Sequence, residues 1–204
     1  MRLRADALAA ERGGRAVFAG LSFVAEPGTL LRITGANGAG KTTLLRILAG
    51  LGAAAAGSTT WQRDGTDISA AEAACFVGHA NAFNEALTVR ENLVYAADLS
   101  GLDASSQSIE SALTALGVKS LVNRRFGSLS QGQRKRSSLA RLLLDTQRGR
   151  RAWLLDEPFV ALDVDTQTQL AAIISAELAA GGLVIYTSHQ AVDIAAARVQ
   201  EVSL

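Results

Sequence analysis

Gly35-Ala36-Asn37-Gly38-Ala39-Gly40-Lys41-Thr42 is the stretch from which the rest of this chain can be read. It meets the pattern G-x-x-x-x-G-K-[ST] at every fixed position. Residues 30–34 ahead of it form a short apolar run, the pattern of a strand, and residues 43–49 behind it read as a helix stopped by Gly50. Three glycines let a backbone curl so tightly that successive N–H groups point inward, and a helix N-terminus adds partial positive charge at the same place. A strand, such a loop and a helix together make a cradle for phosphates. Lys41 would reach the outer phosphates of a nucleotide, and the Thr42 hydroxyl is a hard oxygen ligand suited to Mg²⁺.

Composition sets the limits around this motif. At 204 residues one domain is expected, with room for an inserted subdomain, and 49% apolar residues suffice for a core. Twenty Lys and Arg stand against 19 Asp and Glu, so no basic excess marks a nucleic-acid surface and no nucleic-acid partner is expected. The single Cys75 cannot form an internal disulfide, which fits a reducing compartment. The first 15 residues include Arg2, Arg4, Asp6, Glu11, Arg12 and Arg15 with no long apolar run between them, so no signal peptide is expected. No uncharged apolar stretch reaches 18 residues, so attachment to a membrane would depend on another chain.

Outward from the loop, residues 3–9, 15–18 and 21–25 read as strands with turns at Gly13-Gly14 and Pro27-Gly28. Further strands are expected over 58–63, 74–78, 152–155, 183–187 and 199–204, and helices over 166–180 and 191–197. Between about 80 and 145 the pattern turns helical. Thr88 with Glu91 three residues on is a capping box, residues 105–116 form a helix ending before Gly117, and Ser130 opens another. The expected fold is α/β: a phosphate-loop core with a mostly parallel sheet, an N-terminal antiparallel region and an inserted helical subdomain.

Trp153-Leu154-Leu155-Asp156-Glu157 is a buried-strand pattern ending in two carboxylates. Ligands of open α/β sheets gather beyond the carboxyl ends of strands. Asp156 would therefore face Mg²⁺ held by Thr42, and Glu157 would polarise an attacking water. His189 follows a strand of the same sheet, where an imidazole could keep phosphate, water and Glu157 in register. Leu129-Ser130-Gln131-Gly132-Gln133 starts a helix with a good N-cap, and its free N–H groups suit an anion offered by a second subunit.

In this order the motifs resemble those of the ATP-binding-cassette (ABC) ATPases, the nucleotide-binding subunits of transporters, over essentially the whole chain of 204 residues. The resemblance implies an ATPase with ATP and Mg²⁺ as cofactors. It implies a nucleotide site of Gly35, Ala36, Asn37, Gly38, Ala39, Gly40, Lys41, Thr42 and Thr43. Metal contacts would come from Thr42 and Asp156, and catalysis from Glu157 and His189. It also implies a head-to-tail homodimer, in which Ser130, Gln131, Gly132 and Gln133 form a signature acting in trans and Asp163 belongs to the loop crossing the interface. Gln131 replaces the family's usual glycine. His79 stands in the coupling loop where the family commonly has glutamine. Arg12 occupies the stretch where the family often has an aromatic for adenine, and its planar guanidinium could stack there instead. Gly78-His79, residues 153–159 and Ser188-His189-Gln190 are similar to the ATP-binding subunits of the haem exporters of cytochrome c maturation. That kinship implies membrane-spanning partner subunits, a peripheral place on the cytoplasmic face of the bacterial inner membrane, and no direct contact with haem. An importer subunit for another small solute, a soluble non-transport ABC ATPase and a small phosphate-loop kinase remain open as alternatives.

Overall fold

The computed structural model describes residues 1–78, 82–144, 151–188 and 192–204. They divide into two units: Met1–Gly78 with Arg151–Pro158 and Ala171–Leu204, and His79–Arg150 with Phe159–Leu170.

The first unit holds two sheets. The antiparallel one has the order β2-β1-β4-β5, from β1 (Arg2–Arg12), β2 (Arg15–Ala25), β4 (Ala56–Arg63) and β5 (Thr66–Ile68). In β1 the buried residues are Leu3 and Ala5, then Leu8 and Ala10. That change from odd to even numbers needs one residue out of step, since side chains alternate faces. The slip is at Ala7, at φ 46°, where the pairing with β2 shifts register. The Ala7 amide is not orphaned, because it donates to Ser22 Oγ at 2.8 Å.

The second sheet is wholly parallel, in the order β6-β7-β8-β3-β9. Its strands are β3 (Thr29–Thr34), β6 (Ala74–Val77), β7 (Ala152–Leu155), β8 (Val184–Thr187) and β9 (Arg198–Ser203). Every residue of β7 and β8 is buried, which is why both read as unbroken apolar runs. Parallel pairing puts all the carboxyl ends on one edge. Helix α1 (Lys41–Leu48) sends Leu44, Leu45 and Leu48 into a core shared with Leu31, Ile33, Trp61, Leu154 and Ile185. The Trp61 indole N–H donates to Leu48 O at 2.9 Å, so the ring is buried without losing its polar partner.

The second unit is mainly helical: α3 (Val89–Ser100), α4 (Ser106–Ala115) and α5 (Gln131–Leu139), the last running on as a 3₁₀ turn over Ala140–Leu143. Thr88 and Glu91 form the expected capping box, and Gly101 closes α3 in the left-handed conformation. Leu93, Ile109, Leu113, Phe126 and Leu139 are buried here.

Several expectations shift. Residues 15–25 form one strand rather than two. The short β5 and α2 (Ala70–Ala73) have too few residues to show a period. Helix α6 (Val164–Ala179) begins earlier than Thr166. The helix expected over 191–197 is not found: residues 192–197 are irregular, and residue 191 lies outside the described residues. Here the Ala195 amide donates to Ser175 Oγ on α6 at 3.0 Å, a tertiary hydrogen bond that holds this irregular segment against α6.

Candidate functional site

The loop between β3 and α1 stands at the carboxyl edge of the parallel sheet, as its sequence requires. Ala36, Asn37 and Gly38 are exposed, while Lys41 is buried. Gly40 has φ 103° and caps α1, and a Cβ there would collide with Val17 Cγ1 of β2. Only glycine satisfies both the angle and the space. The Lys41 ammonium donates to the carbonyls of Gly35 and Ala36 at 2.8 and 3.0 Å and draws the loop around itself. Thr43, next along α1, is half-buried.

Helix α1 starts with no side-chain cap and no acid in its first turn. Its positive end is therefore left for an anion from outside the chain. Thr42 is exposed, and its hydroxyl donates to Asp156 Oδ2 at 2.8 Å. A hydroxyl and a buried carboxylate, side by side at an open helix N-terminus, form a hard oxygen donor set of the kind Mg²⁺ takes beside phosphates. The residues present thus fit both a nucleotide triphosphate and its cation.

Asp156 and Glu157 follow β7 directly, and the Asp156 amide donates to Val77 O of β6 at 2.8 Å. Glu157 has φ 47°, in the left-handed region that a non-glycine residue occupies at a cost of about 1–3 kcal/mol. Such strain persists where neighbours over-determine it. Thr187, at the end of β8 and fully buried, supplies that determination. Its hydroxyl donates to Asp156 Oδ1 at 2.8 Å and accepts the Glu157 amide at 2.8 Å. Sequence reading missed Thr187; the available signal was a polar residue closing an apolar strand next to a carboxylate-bearing one. His189 and His79 lie outside the described residues. Arg12 is exposed at the tip of the β1–β2 hairpin, paired with Arg15.

In the second unit Ser130 is the N-cap of α5. The Gln133 amide donates to Ser130 Oγ at 3.3 Å, and Gln133 Oε1 accepts from the Ser130 amide at 3.0 Å. Gln131 is exposed, and a Cβ on Gly132 would stand 3.1 Å from Ala161 O, so a larger residue would press on that loop. Asp163 accepts the Thr166 amide at 2.8 Å at the start of α6, and that hydrogen bond holds its carboxyl below the usual aspartate range. Arg134 was also missed. It donates to Leu129 O at 3.0 Å and to Glu85 at 2.8 Å, and its guanidinium lies 5.7 Å from the Phe126 ring centre. The start of α5 is thereby tied to the segment before α3.

The family model described as ABC transporter matches residues 18–160. A cytochrome c biogenesis ATP-binding export protein CcmA of Nitrobacter winogradskyi is 45% identical over 96% of this chain and 96% of its own. The protein of the same name from Dechloromonas aromatica is 44% identical over 99% of each. Among solved structures, a putative ABC transporter ATP-binding protein from Pyrococcus furiosus superposes with TM-score 0.79 at 24% identity, covering 98% of this chain and 97% of that one. A bacterial Atm1-family ABC exporter with ATP bound reaches 0.75 at 24% identity, over 93% of this chain and 34% of that one. At that identity the two structures speak for the fold. The chain belongs to the ABC transporter family and, within it, to the cytochrome c biogenesis ATP-binding export proteins.

Proposed function

We propose that this chain is the ATP-hydrolysing subunit of an exporter that serves cytochrome c biogenesis, with haem as the handled cargo. The observation that carries the ATPase reading is the 2.8 Å hydrogen bond from Thr42 to Asp156, which joins the phosphate loop to the carboxylate pair. The nucleotide site is built from residues 35–43, with Arg12 against the base. Thr42 and Asp156 would hold Mg²⁺, which supplies positive charge against the phosphate oxygens when bound. Lys41 pairs with the outer phosphates, Glu157 holds and polarises the attacking water, and His189 keeps that water in line. Both Asp156 oxygens accept hydroxyl donors, from Thr42 and Thr187.

The cargo reading is supported by the printed name and near-complete overlap of the relatives. The same kinship supports membrane-spanning partner subunits and a peripheral place on the cytoplasmic face of the inner membrane. No helix among the described residues is long and apolar enough to cross a membrane. Docking falls to the segment 79–87, which includes His79. Tyr95 and Leu99, four residues apart on α3 and 62% and 72% exposed, add apolar surface in the same unit. Two copies would pair head to tail, with Ser130 through Gln133 of one copy on the nucleotide of the other and Asp163 in the crossing loop.

Purified protein should hydrolyse ATP only with Mg²⁺. Deleting the gene in its own host should abolish covalent haem staining of c-type cytochromes, and normal staining without a second gene copy would exclude the haem role alone. The in-trans arrangement is tested by mixing Lys41→Ala and Ser130→Arg subunits. One composite site then carries both lesions and the other none, so activity should return. Its absence from demonstrated mixed dimers would count against that arrangement.

A further inference from the structure

We infer that Thr187 is a positioning residue for hydrolysis: its hydroxyl sets the aim of Glu157 and the orientation of Asp156. This rests on the ATPase reading above, and goes beyond it to a residue outside its motifs. The topology explains why position 187 can do this. Strand β8 lies between β7 and β3, so its end neighbours both the strand that delivers the carboxylates and the strand that delivers the phosphate loop. Leu155 pairs with Tyr186, and one step further along the two strands are Asp156 and Thr187.

The hydrogen assignments follow without ambiguity. A backbone N–H can only donate, so the threonine oxygen accepts from Glu157 and its one hydrogen goes to the Asp156 carboxylate. Thr187 is 0% exposed, so water cannot easily replace either bond. Asp156 is then fixed through both oxygens, by Thr42 from α1 and Thr187 from β8. Glu157, at φ 47°, has its amide pinned at the same hydroxyl. A strained φ that aims a side chain needs such a pin, or the backbone relaxes and the carboxylate swings away.

The test compares Thr187→Val, nearly equal in shape but without the hydroxyl, with Thr187→Ser, which keeps it. In Thr187→Val, kcat for Mg-ATP should fall by about tenfold to a hundredfold, the usual effect of losing a residue that orients a catalytic group. The affinity for a fluorescent ATP analogue measured without Mg²⁺ should change little, because the phosphate loop is untouched. Thr187→Ser should restore kcat. In nucleotide-free protein, hydrogen–deuterium exchange at the Glu157 amide should quicken in Thr187→Val and slow again in Thr187→Ser. If valine prevents folding, Thr187→Cys, similar in volume and a poor hydrogen-bonding group, must give the same pattern. Wild-type kcat and wild-type exchange in the valine variant would overturn the inference. So would a loss that serine fails to restore and that falls equally on ATP affinity measured without Mg²⁺. A wild-type protein that hydrolyses no ATP would sink the ATPase reading instead, while the exchange rates would still show whether Thr187 pins Glu157.

Discussion

The phosphate-loop region and the start of α5 are both helix N-termini, yet they are built in opposite ways. The first is assembled from distant parts of the chain. Thr42 meets Asp156 across 114 residues, and Asp156 meets Thr187 across 31. Its helix cap is empty of side chains. The second is assembled locally, with Ser130 and Gln133 satisfying each other three residues apart. A site made by tertiary contacts can aim groups that no local motif could hold, such as Glu157 at its positive φ. A site made by a capping box holds its shape in any context that keeps the helix. Damage to the first should therefore appear as lost chemistry, and damage to the second as lost helix stability and lost partnership.

Glu157→Gln probes this difference hardest. The amide keeps the size of the side chain and removes the anionic acceptor, so turnover should drop by roughly 10²–10⁴-fold. ATP binding should persist, because Lys41 and the loop backbone are unchanged. Turnover with Mg-ATP and nucleotide binding by calorimetry give both numbers, and near wild-type turnover would remove Glu157 from its role.

Lys41→Ala comes next. It removes a charged donor from the phosphates, and nucleotide affinity should fall by about 1–3 kcal/mol, with or without metal. Asp156→Asn should weaken binding chiefly when Mg²⁺ is present. Titration calorimetry under both conditions separates the two residues, and identical losses for both variants would mean that loop and carboxylate do not have distinct tasks.

How much of this was legible in the sequence follows the same division. The Thr88–Glu91 box and the Ser130 cap were readable because each is a short local pattern with one physical solution. The phosphate loop was readable because its glycines and lysine are spaced by the geometry of the turn itself. The buried strands β7 and β8 announced themselves as apolar runs. Thr187 was readable only as a polar residue closing an apolar strand. Its importance depends on β8 lying between β7 and β3, and strand order is not written in any local period. Arg134 was missed for the same reason, since its partner Glu85 is 49 residues away. Of the helix expected over 191–197, residues 192–197 are irregular, and there a side chain from α6 accepts the Ala195 amide, a tertiary contact that no local propensity encodes.

Ser130→Ala tests the local site. It deletes the acceptor for the Gln133 amide, and thermal or urea unfolding should show a loss of about 1 kcal/mol, the usual worth of a serine cap. The same change leaves every contact around Asp156 in place, so nucleotide affinity of the isolated subunit should hold. A fall in that affinity without a fall in stability would erase the contrast between the two regions.

The smallest effect is expected at Asp163, whose carboxylate caps α6 and is exposed. The Thr166 amide lowers its folded pKa from the ordinary 3.8, with Arg136 nearby adding a weaker pull in the same direction. A depressed folded pKa means that the unfolded chain takes up the proton first as pH drops. The stabilisation is therefore complete well above pH 3.8 and disappears as pH falls through the lowered folded value. Asn is also a good N-cap but carries no charge, so Asp163→Asn keeps the hydrogen bond and removes the titration. Wild type should be slightly more stable than this variant at neutral pH, and the gap should close in acid below the ordinary aspartate range. Urea midpoints for both proteins at a series of pH values give the gap directly. A gap that stayed constant down to the lowest pH would show that the charge contributes nothing. The Asp163 cap would then be held, like Ser130, by its hydrogen bond alone.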